Sequence, residues 1–522
     1  MIKLICSNII LNSSIFERNI TMKNSNRLLA LLLALFMLVS TACSSSQTDT
    51  EGKETQADNA AATTAAEETE DPTLRANAKD NLPADLNFDG TEIRFFYRNI
   101  DPIANYDLVG TENTGELVFD AVYLRNRSVE ERLGVTLKMI PSNGTGIAEV
   151  RNQITKSVSS SSDEFDVVVA TGNTLPQSGL TQYLMNLIDD PYLDYDQPWW
   201  WNDAMDELSL NPKISRYYLI GDFLLYNLLS TSAMYFNKEL YTNKFGDPND
   251  LYNTVLEGNW TYDKMAEYVK AGYEDLNGNS KEDDEDLYAM VLYSGAGNIL
   301  QLQYSTDIPS YTRDEDGFPV LSPADTRTAK FAESMLAIME MPGCATGLSE
   351  TEIIERFVES KTLFLPYRLT VSFDPSVRAM TTDFGIIPYP KLDENQKDYI
   401  SMIHDCSSDA AIPKTNTIME ATTATLEALN AESYRSVTEK FYETALKTKY
   451  VRDDISSQII DIIRDTATKD LMNEYQALLN GFGHKLATSI AGGKNTVASD
   501  YAKNITSANK YLEKLIEKET GN

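Results

Sequence analysis

The stretch "TEIRFFYR" (residues 91–98) sets the pattern for the folded part of the chain. Ile93, Phe95 and Tyr97 recur at every second position, which is typical of a β-strand with one apolar face. The segments that follow alternate between helical and extended periodicity, as helix, strand, helix and strand: 116–134, 135–140, 147–158 and 165–170. Strands joined through helices predict a parallel sheet with right-handed crossovers, and therefore an α/β fold.

The carboxyl ends of these strands are the first candidate site. In open α/β sheets, ligands bind beyond the carboxyl ends of the strands, near a topological switch point. Tyr97 and Arg98 follow the first strand, and Thr171, Gly172 and Asn173 follow the third.

The later sequence also has the patterns of strands and helices. Residues 232–237 and 383–390 have the pattern of strands, and residues 431–518 are nearly all helical by period. Residues 322–340 predict a helix with Ser322 as N-cap, and residues 349–360 open with a Ser-x-x-Glu capping box.

An N-terminal leader precedes all of this. The apolar run 28–39 is long enough for the core of a signal peptide and too short to span a bilayer. Cys43, after small residues, resembles the bacterial lipobox cysteine that receives a diacylglycerol, although Ser40 stands where a lipobox usually has Leu. We predict that residues 1–43 are a leader region, in which the true start is Met22 and a lipoprotein signal peptide follows, and that Cys43 is lipidated. The alternative is a secreted protein with an incidental cysteine.

Residues 44–82 contain no aromatic residue and are rich in Ala, Thr, Glu and Asp. Such a segment cannot bury enough apolar surface to fold, so we predict a disordered acidic tether.

The overall composition limits the possible partners. A chain of 522 residues with 42% hydrophobic residues predicts two or more domains with large cores. The net charge of −33 argues against nucleic acid and against an anionic membrane surface as binding partners. It favours a soluble monomer, so membrane attachment would come from the lipid. Cys344 and Cys406 lie outside the leader and could be one disulfide or two thiols.

An acidic loop at residues 275–286 has the spacing of a calcium-binding loop. The predicted ligands are Asp275, Asn277, Asn279, the carbonyl of Lys281, Asp283 and Asp286. Ser280 stands at the sixth position, where such loops have Gly, and Asp286 replaces the usual Glu. The alternative is an acidic solvated turn, and a bound calcium would be structural.

All but one of the four tryptophans lie in "QPWWWND" (197–203). Exposed indole faces stack on sugar rings, so Trp200 is a candidate ligand contact. The alternative is a packing cluster at the start of a helix.

The sequence gives little support for catalysis. His404, Asp405 and Cys406 are adjacent, and with side chains in alternating directions they would not converge on a metal or form a triad. The 78 Asp and Glu residues always offer some carboxylate pair, so such pairs carry no information. We predict a protein that is not an enzyme and needs no cofactor.

Three stretches carry a family resemblance: 220–241 ("IGDFLLYNLLSTSAMYFNKELY"), 257–279 ("EGNWTYDKMAEYVKAGYEDLNGN") and 383–403 ("DFGIIPYPKLDENQKDYISMI"). With the leader and tether, they resemble the lipid-anchored extracellular solute-binding proteins of ABC importers in Gram-positive bacteria. The group is family 1, which includes the maltose-binding protein. Asn237-Lys238 and the run 385–390 match family motifs at the strand entering the second lobe and before the return crossing.

This resemblance implies two α/β lobes with a ligand cleft between them. The first lobe would comprise 86–226 plus 406–450, and the second 230–402 plus 453–522, with crossings near Tyr226 and His404. It implies ligand contacts from the strand-end residues named above, and from Tyr226, Tyr367 and Asp405.

The implied mechanism needs no covalent chemistry. A small polar solute, most readily an oligosaccharide, would favour the closed state, which docks on an ABC permease. The alternatives are a surface-anchored glycan-active enzyme, and a sensing or adhesion module without transport.

Overall fold

The computed structural model describes residues 75–112, 114–442 and 454–520. The predicted leader with Cys43, the tether as far as residue 74, and the predicted passage between the lobes near 450 lie outside these residues. Within the described ranges, no helix combines the length and apolar character needed to cross a bilayer.

The strands are, in chain order, β1 Thr91–Tyr97, β2 Val135–Pro141, β3 Val167–Thr171, β4 Ser232–Asn237, β5 Tyr288–Tyr293, β6 Tyr311–Arg313, β7 Pro319–Leu321, β8 Cys344–Leu348, β9 Thr362–Arg368, β10 Phe384–Ile387, β11 Ser401–Met402, β12 Ser408–Ala411 and β13 Ala467–Thr468.

The α-helices are α1 Ile103–Asp107, α2 Leu117–Leu133, α3 Ile147–Ser159, α4 Asn202–Leu208, α5 Tyr226–Leu229, α6 Lys238–Phe245, α7 Asn249–Leu256, α8 Tyr262–Gly272, α9 Gly297–Tyr304, α10 Thr326–Met339, α11 Glu350–Val358, α12 Pro375–Arg378, α13 Met419–Glu432, α14 Thr438–Phe441, α15 Asp454–Asp465, α16 Leu471–Glu474, α17 Lys485–Ala491 and α18 Val497–Thr520.

The first sheet has the order β12-β3-β1-β2. Strand β1 pairs in parallel with both β2 and β3, as the sequence predicts, and β12 joins the edge antiparallel to β3. Helix α2 ends at Gly134, whose φ of +58° lies in the left-handed region that glycine adopts readily. Because β3 follows β2 in the chain but pairs with β1, the order changes direction there, and the carboxyl ends of β1 and β3 meet at one edge.

The second sheet has the order β10-β4-β9-β5-β8. Strand β5 is parallel to β9 and β8, whereas β4 is antiparallel to β9 and β10. Each sheet has its own hydrophobic core, one including Leu224 and Ile403 and the other including Leu225 and Tyr399. We call the two halves the first and second lobes; the boundaries of the predicted domains stay a prediction.

The chain passes from the first core to the second between Leu224 and Leu225 and returns at Ile403, and Tyr106, Val118 and Val122 on α1 and α2 also pack in the second core. The two passages lie side by side, because Thr231 bridges to Ile403 and the amide of His404 donates to the carbonyl of Ser230 at 3.1 Å. Strand β13 pairs in parallel with β11 and adds a third segment at this place. We call these three segments, 230–231, 401–404 and 467–468, the crossing segments.

Two sequence predictions of helices need correction. Helix α10 begins at Thr326, with Asp325 rather than Ser322 as its N-cap, since the Asp325 carboxylate accepts the Thr328 amide at 2.8 Å. The region 431–518 includes strand β13 and several breaks, so it is less continuously helical than its periodicity indicates. The capping box of α11 is confirmed, because the Ser349 amide donates to Glu352 at 2.6 Å.

Candidate ligand-binding site

The first-lobe side of the site lies at the carboxyl ends of β1 and β3. Arg98, just beyond β1, donates from Nε to the carbonyl of Thr145 at 2.7 Å and from Nη1 to the Thr171 hydroxyl at 3.3 Å. No carboxylate of the described residues lies within ion-pairing distance of Arg98. A half-buried cation held by neutral groups can therefore offer its remaining donors to a ligand. Tyr97 is half-buried beside it, and burial raises the pKa of its hydroxyl.

The loop after β3 packs against the turn that follows the second crossing. The Asn173 amide donates to the carbonyl of Asp405 at 3.3 Å, and Gln177 Nε2 donates to Asp405 Oδ2 at 3.1 Å. Burial alone would raise the pKa of Asp405. The hydrogen bond and charge of His404 outweigh burial, and together with Gln177 they lower this pKa to about 2. Asp405 is therefore a fixed anion and hydrogen-bond acceptor at the crossing.

The second-lobe side is formed by the end of β9. Tyr367 donates its hydroxyl to Glu350, and Arg368 Nη2 donates to Glu350 Oε1 at 2.8 Å. The Arg368 guanidinium lies 4.7 Å from the centre of the Tyr367 ring, in a cation–π arrangement. Its Nε is buried and has no hydrogen-bond partner among the described residues. A buried N–H without an acceptor is costly, so this donor favours a ligand oxygen.

Tyr226 and Tyr293 connect the two sides. Tyr226 begins α5 at the first crossing, and its amide donates to Asp107 Oδ1 at 2.7 Å. Burial raises the pKa of Tyr226, and raises that of Tyr293 to about 12. Both hydroxyls lie near the Cys406 side chain and near Arg368, whose positive charge opposes this rise. The two tyrosines thus share one neighbourhood with Arg368 of the second lobe and the turn after the second crossing.

Tyr293 and Arg368 are candidate site residues that the sequence analysis missed. They end β5 and β9, so they stand at strand ends of the second sheet as Tyr97 and Thr171 do in the first. The strand-end rule that selected Tyr97 and Arg98 would have found Tyr293 if it had been applied to the run 288–293, and Arg368 if it had been applied to the run 362–368.

Trp200 does not lie with the other candidates. It is 4% exposed in the core of the first lobe, its indole donates to Glu427 Oε2 at 2.7 Å, and its ring packs edge-on against Tyr195. Trp199 donates to the other oxygen of Glu427 at 2.9 Å. This arrangement favours the packing alternative, and we remove Trp200 from the candidate ligand contacts.

A buried ionic group lies directly behind Gly172. Lys469 Nζ contacts Asp409 Oδ1 at 2.6 Å and Glu474 Oε2 at 3.7 Å, and all three side chains are fully buried. Burial raises the pKa of Glu474; Lys469 acts in the opposite direction, and Asp409 adds to the increase. One buried cation thus lies beside two buried carboxylates. The group joins β12 of the first lobe to residues 469–474, which belong to the second core from Leu471 onward.

A separate open cavity of about 420 Å³ contains Glu207 and Asp470. Burial raises the pKa of Glu207 to about 7 and that of Asp470 to about 6. Asp470 accepts the amides of Met472 and Asn473 and the hydroxyl of Ser310, at 2.8, 3.1 and 2.6 Å, and Glu207 accepts the hydroxyl of Tyr311. These carboxylates cap a helix and tie loops together, so the pair does not favour the glycan-active enzyme.

The acidic loop forms a compact turn. Asp275 accepts the amides of Gly278, Asn279 and Ser280, and Asp283 accepts the side-chain amides of Asn277 and Asn279. Ser280 has a φ of +59°, which is the conformation that glycine supplies at the sixth position of calcium loops. Asp286 is fully buried, with its Oδ1 unpartnered among the described residues.

The prediction that His404, Asp405 and Cys406 cannot converge is wrong. The three residues form a turn rather than a strand, so their side chains do not alternate. One ligand atom from each lies within 4.8 Å of the others, in the part of the chain that the structure describes. Cys344 and Cys406 are both thiols, not a disulfide.

No protein-family model matches this chain, and no curated protein gives a significant match. Solved structures do match. A sugar transporter protein from Rhizobium etli in an open conformation has a TM-score of 0.53 at 12% identity, covering 81% of this chain and 99% of its own. A cyclo/maltodextrin-binding protein in complex with maltotetraose gives 0.51 at 12% identity, covering 83% and 98%. The ligand-free RafE of Streptococcus pneumoniae gives 0.50 at 13% identity, covering 82% and 98%. This chain therefore has the two-lobe α/β fold of periplasmic-type solute-binding proteins, as predicted.

The packing of Gly172 against the buried Glu474 can be tested by substitution. A Cβ at Gly172 would lie 2.2 Å from Glu474 Oε2 and 3.1 Å from the carbonyl of Asp405. We expect Gly172→Ala to lower the free energy of unfolding by about 1–3 kcal/mol, because overpacking displaces the buried carboxyl. Glu474→Ala leaves the Lys469–Asp409 pair intact and should restore at least about 1 kcal/mol in the double variant.

Chemical denaturation of the parent protein and the three variants measures the coupling between the two sites. Gly492→Ala is the matched control, since its nearest neighbour would be an ordinary 3.4 Å away. Strictly additive effects of the two substitutions would contradict the described contact.

Proposed function

We propose that this protein captures a small polar solute, an oligosaccharide, between its two lobes and delivers it to an ABC permease. Cys43 would carry the lipid that holds the protein at the outer face of the cell membrane. The main support for this proposal is that both lobes place polar and aromatic side chains around the crossing segments. These are Arg98, Asn173 and Asp405 in the first lobe and Tyr293, Tyr367 and Arg368 in the second.

The chemistry of this set suits a sugar. Tyrosine rings offer apolar faces for the C–H patches of a pyranose, and the guanidinium and carboxylate groups donate to and accept from hydroxyls. Arg368 is paired with Glu350, whereas Arg98 has only neutral partners among the described residues and keeps donors for ligand hydroxyls. The cyclo/maltodextrin-binding protein of similar fold holds maltotetraose, which supports the same class here.

The mechanism is a shift between open and closed lobes. A ligand that touches both lobes binds the closed state more tightly and so increases its population. The three crossing segments provide the hinge about which the lobes would rotate. No reaction is proposed, because the described carboxylate pair in the large cavity is held by helix-capping and loop contacts.

Isothermal titration of the purified protein with maltotetraose, raffinose and a cyclic maltodextrin tests the proposal. We expect saturable binding to at least one, weakened about 10- to 100-fold in Arg98→Met and Arg368→Met, because each loses charge-assisted hydrogen bonds. Arg151→Met on α3 and Arg356→Met on α11 are matched controls and should bind like the parent protein.

Absence of binding to every sugar by a folded protein would contradict the oligosaccharide assignment. Release of shorter sugars during incubation would instead support the glycan-active enzyme. Binding of a sugar without its uptake, in cells that also carry an ABC permease for that sugar, would favour a sensor.

We also propose that the loop 275–286 binds one structural calcium ion. The sixth position has the required left-handed backbone, and the buried Asp286 has an unpartnered oxygen among the described residues.

Calcium at a hundredfold excess over its dissociation constant should stabilise the protein by about 2.7 kcal/mol, seen as a rise in melting temperature. Asp283→Asn should abolish the rise, whereas Glu282→Gln, which removes the same charge at a non-ligand position, should keep it. An unchanged melting temperature in calcium, or a rise that survives Asp283→Asn, would contradict the proposal.

A further inference from the structure

The turn after the second crossing brings three metal-ligating side chains together. His404, Asp405 and Cys406 each offer one ligand atom, and these atoms all lie within 4.8 Å of one another. His404 Nδ1 and Asp405 Oδ1 are 3.1 Å apart. The His404 and Asp405 side chains are 24% and 16% exposed, so an ion can reach them from solvent.

The polar contacts around His404 Nδ1 conflict with one another. The Cys406 amide donates to Nδ1 at 3.1 Å, which requires a lone pair on this nitrogen. The same lone pair then lies 3.1 Å from Asp405 Oδ1, which is also an acceptor. A proton on Nδ1 would satisfy Asp405 but would oppose the Cys406 N–H. A metal cation between Nδ1 and Oδ1 would accept a lone pair from each of them.

The donor set selects the class of ion. One imidazole, one carboxylate and one thiolate form a mixed nitrogen, oxygen and sulfur site, which suits zinc and similar borderline-soft divalent ions rather than calcium or magnesium. Ligand atoms around a tetrahedral zinc lie about 3.3–3.8 Å apart, so the described triangle has to contract by about 1 Å at most. Side chains of a partly exposed turn can make this adjustment.

A supporting contact orients the carboxylate. Gln177 Nε2 donates to Asp405 Oδ2 at 3.1 Å, which leaves Oδ1 for the ion. Hydrogen bonds of this kind hold ligating carboxylates in place and strengthen metal sites. Three protein ligands also leave the fourth tetrahedral position open, as in sites that exchange water or another ligand.

We propose that His404 Nδ1, Asp405 Oδ1 and Cys406 Sγ bind one zinc-like divalent transition-metal ion at the crossing between the lobes. The ion adjoins the proposed sugar site, and Asp405 belongs to both. The proposal does not depend on the sugar, because the metal alone is the ligand.

The test uses the full chain with the leader cysteines Cys6 and Cys43 replaced by serine. Titration with cobalt(II) reports thiolate ligation directly, through a sulfur-to-cobalt charge-transfer band in the near ultraviolet. We expect one cobalt per chain, displaced by one zinc, with the band lost in Cys406→Ser and the affinity reduced at least tenfold in His404→Gln. Cys344→Ala is the matched control and should keep the band, because Cys344 is buried in β8, where burial raises the pKa of its thiol to about 12.

Circular dichroism melts establish that each variant is folded. A band that persists in Cys406→Ser would overturn the proposal, as would the absence of saturable binding of zinc or cobalt. If neither zinc nor cobalt binds saturably, the turn holds only a His404–Asp405 ion pair. Sugar binding that survives in Cys406→Ser leaves the proposed function untouched, so the two proposals can fail separately.

Discussion

The hydrogen bonds among the three crossing segments are the constraint on which the rest of the structure depends. Thr231 bridges to Ile403, the His404 amide bonds to Ser230, and β11 pairs with β13, so three stretches far apart in sequence run side by side. The second core also includes Tyr106, Val118 and Val122 of α1 and α2, so the lobes pack against each other beyond the crossing segments as well. Only a few backbone hydrogen bonds join the crossing segments themselves, and we propose that these segments act as the hinge. Tyr226 and Asp405 lie just outside these segments, at the proposed ligand site.

Several charged groups near the crossing are paired, although the chain as a whole is strongly acidic. The chain carries a net charge of −33, yet the neighbourhood of the crossing contains the ion pairs Arg368–Glu350 and His404–Asp405. Behind them, Lys469 is buried with Asp409 and Glu474. Buried ion pairs contribute little net stability, but they penalise any arrangement that separates the partners. This group therefore fixes the position of the loop at Gly172 relative to residues 469–474.

Much of the fold followed from the sequence, because hydrophobic periodicity and capping are local properties. The strands β1, β2 and β3, their parallel pairing, and the capping box at Ser349 were all predicted from such patterns. The failures were non-local. Trp200 is of the residue type that stacks on sugars. Only its hydrogen bond to Glu427, which is distant in sequence, shows that it is a core residue. The side chains of His404 and Cys406 converge because they lie on a turn, which the alternation of a strand does not predict. Arg368 became a candidate site residue only through the pairing of β9 with β4.

The central claim is that one ligand contacts both lobes across the crossing segments. Hydrogen–deuterium exchange, with and without the oligosaccharide that binds most tightly, tests it directly. The account predicts slower exchange on binding at 171–174 and 404–407 in the first lobe and at 293–298 and 366–369 in the second, within the same complex. Protection confined to one lobe, or to the cavity around Glu207 and Asp470, would contradict it.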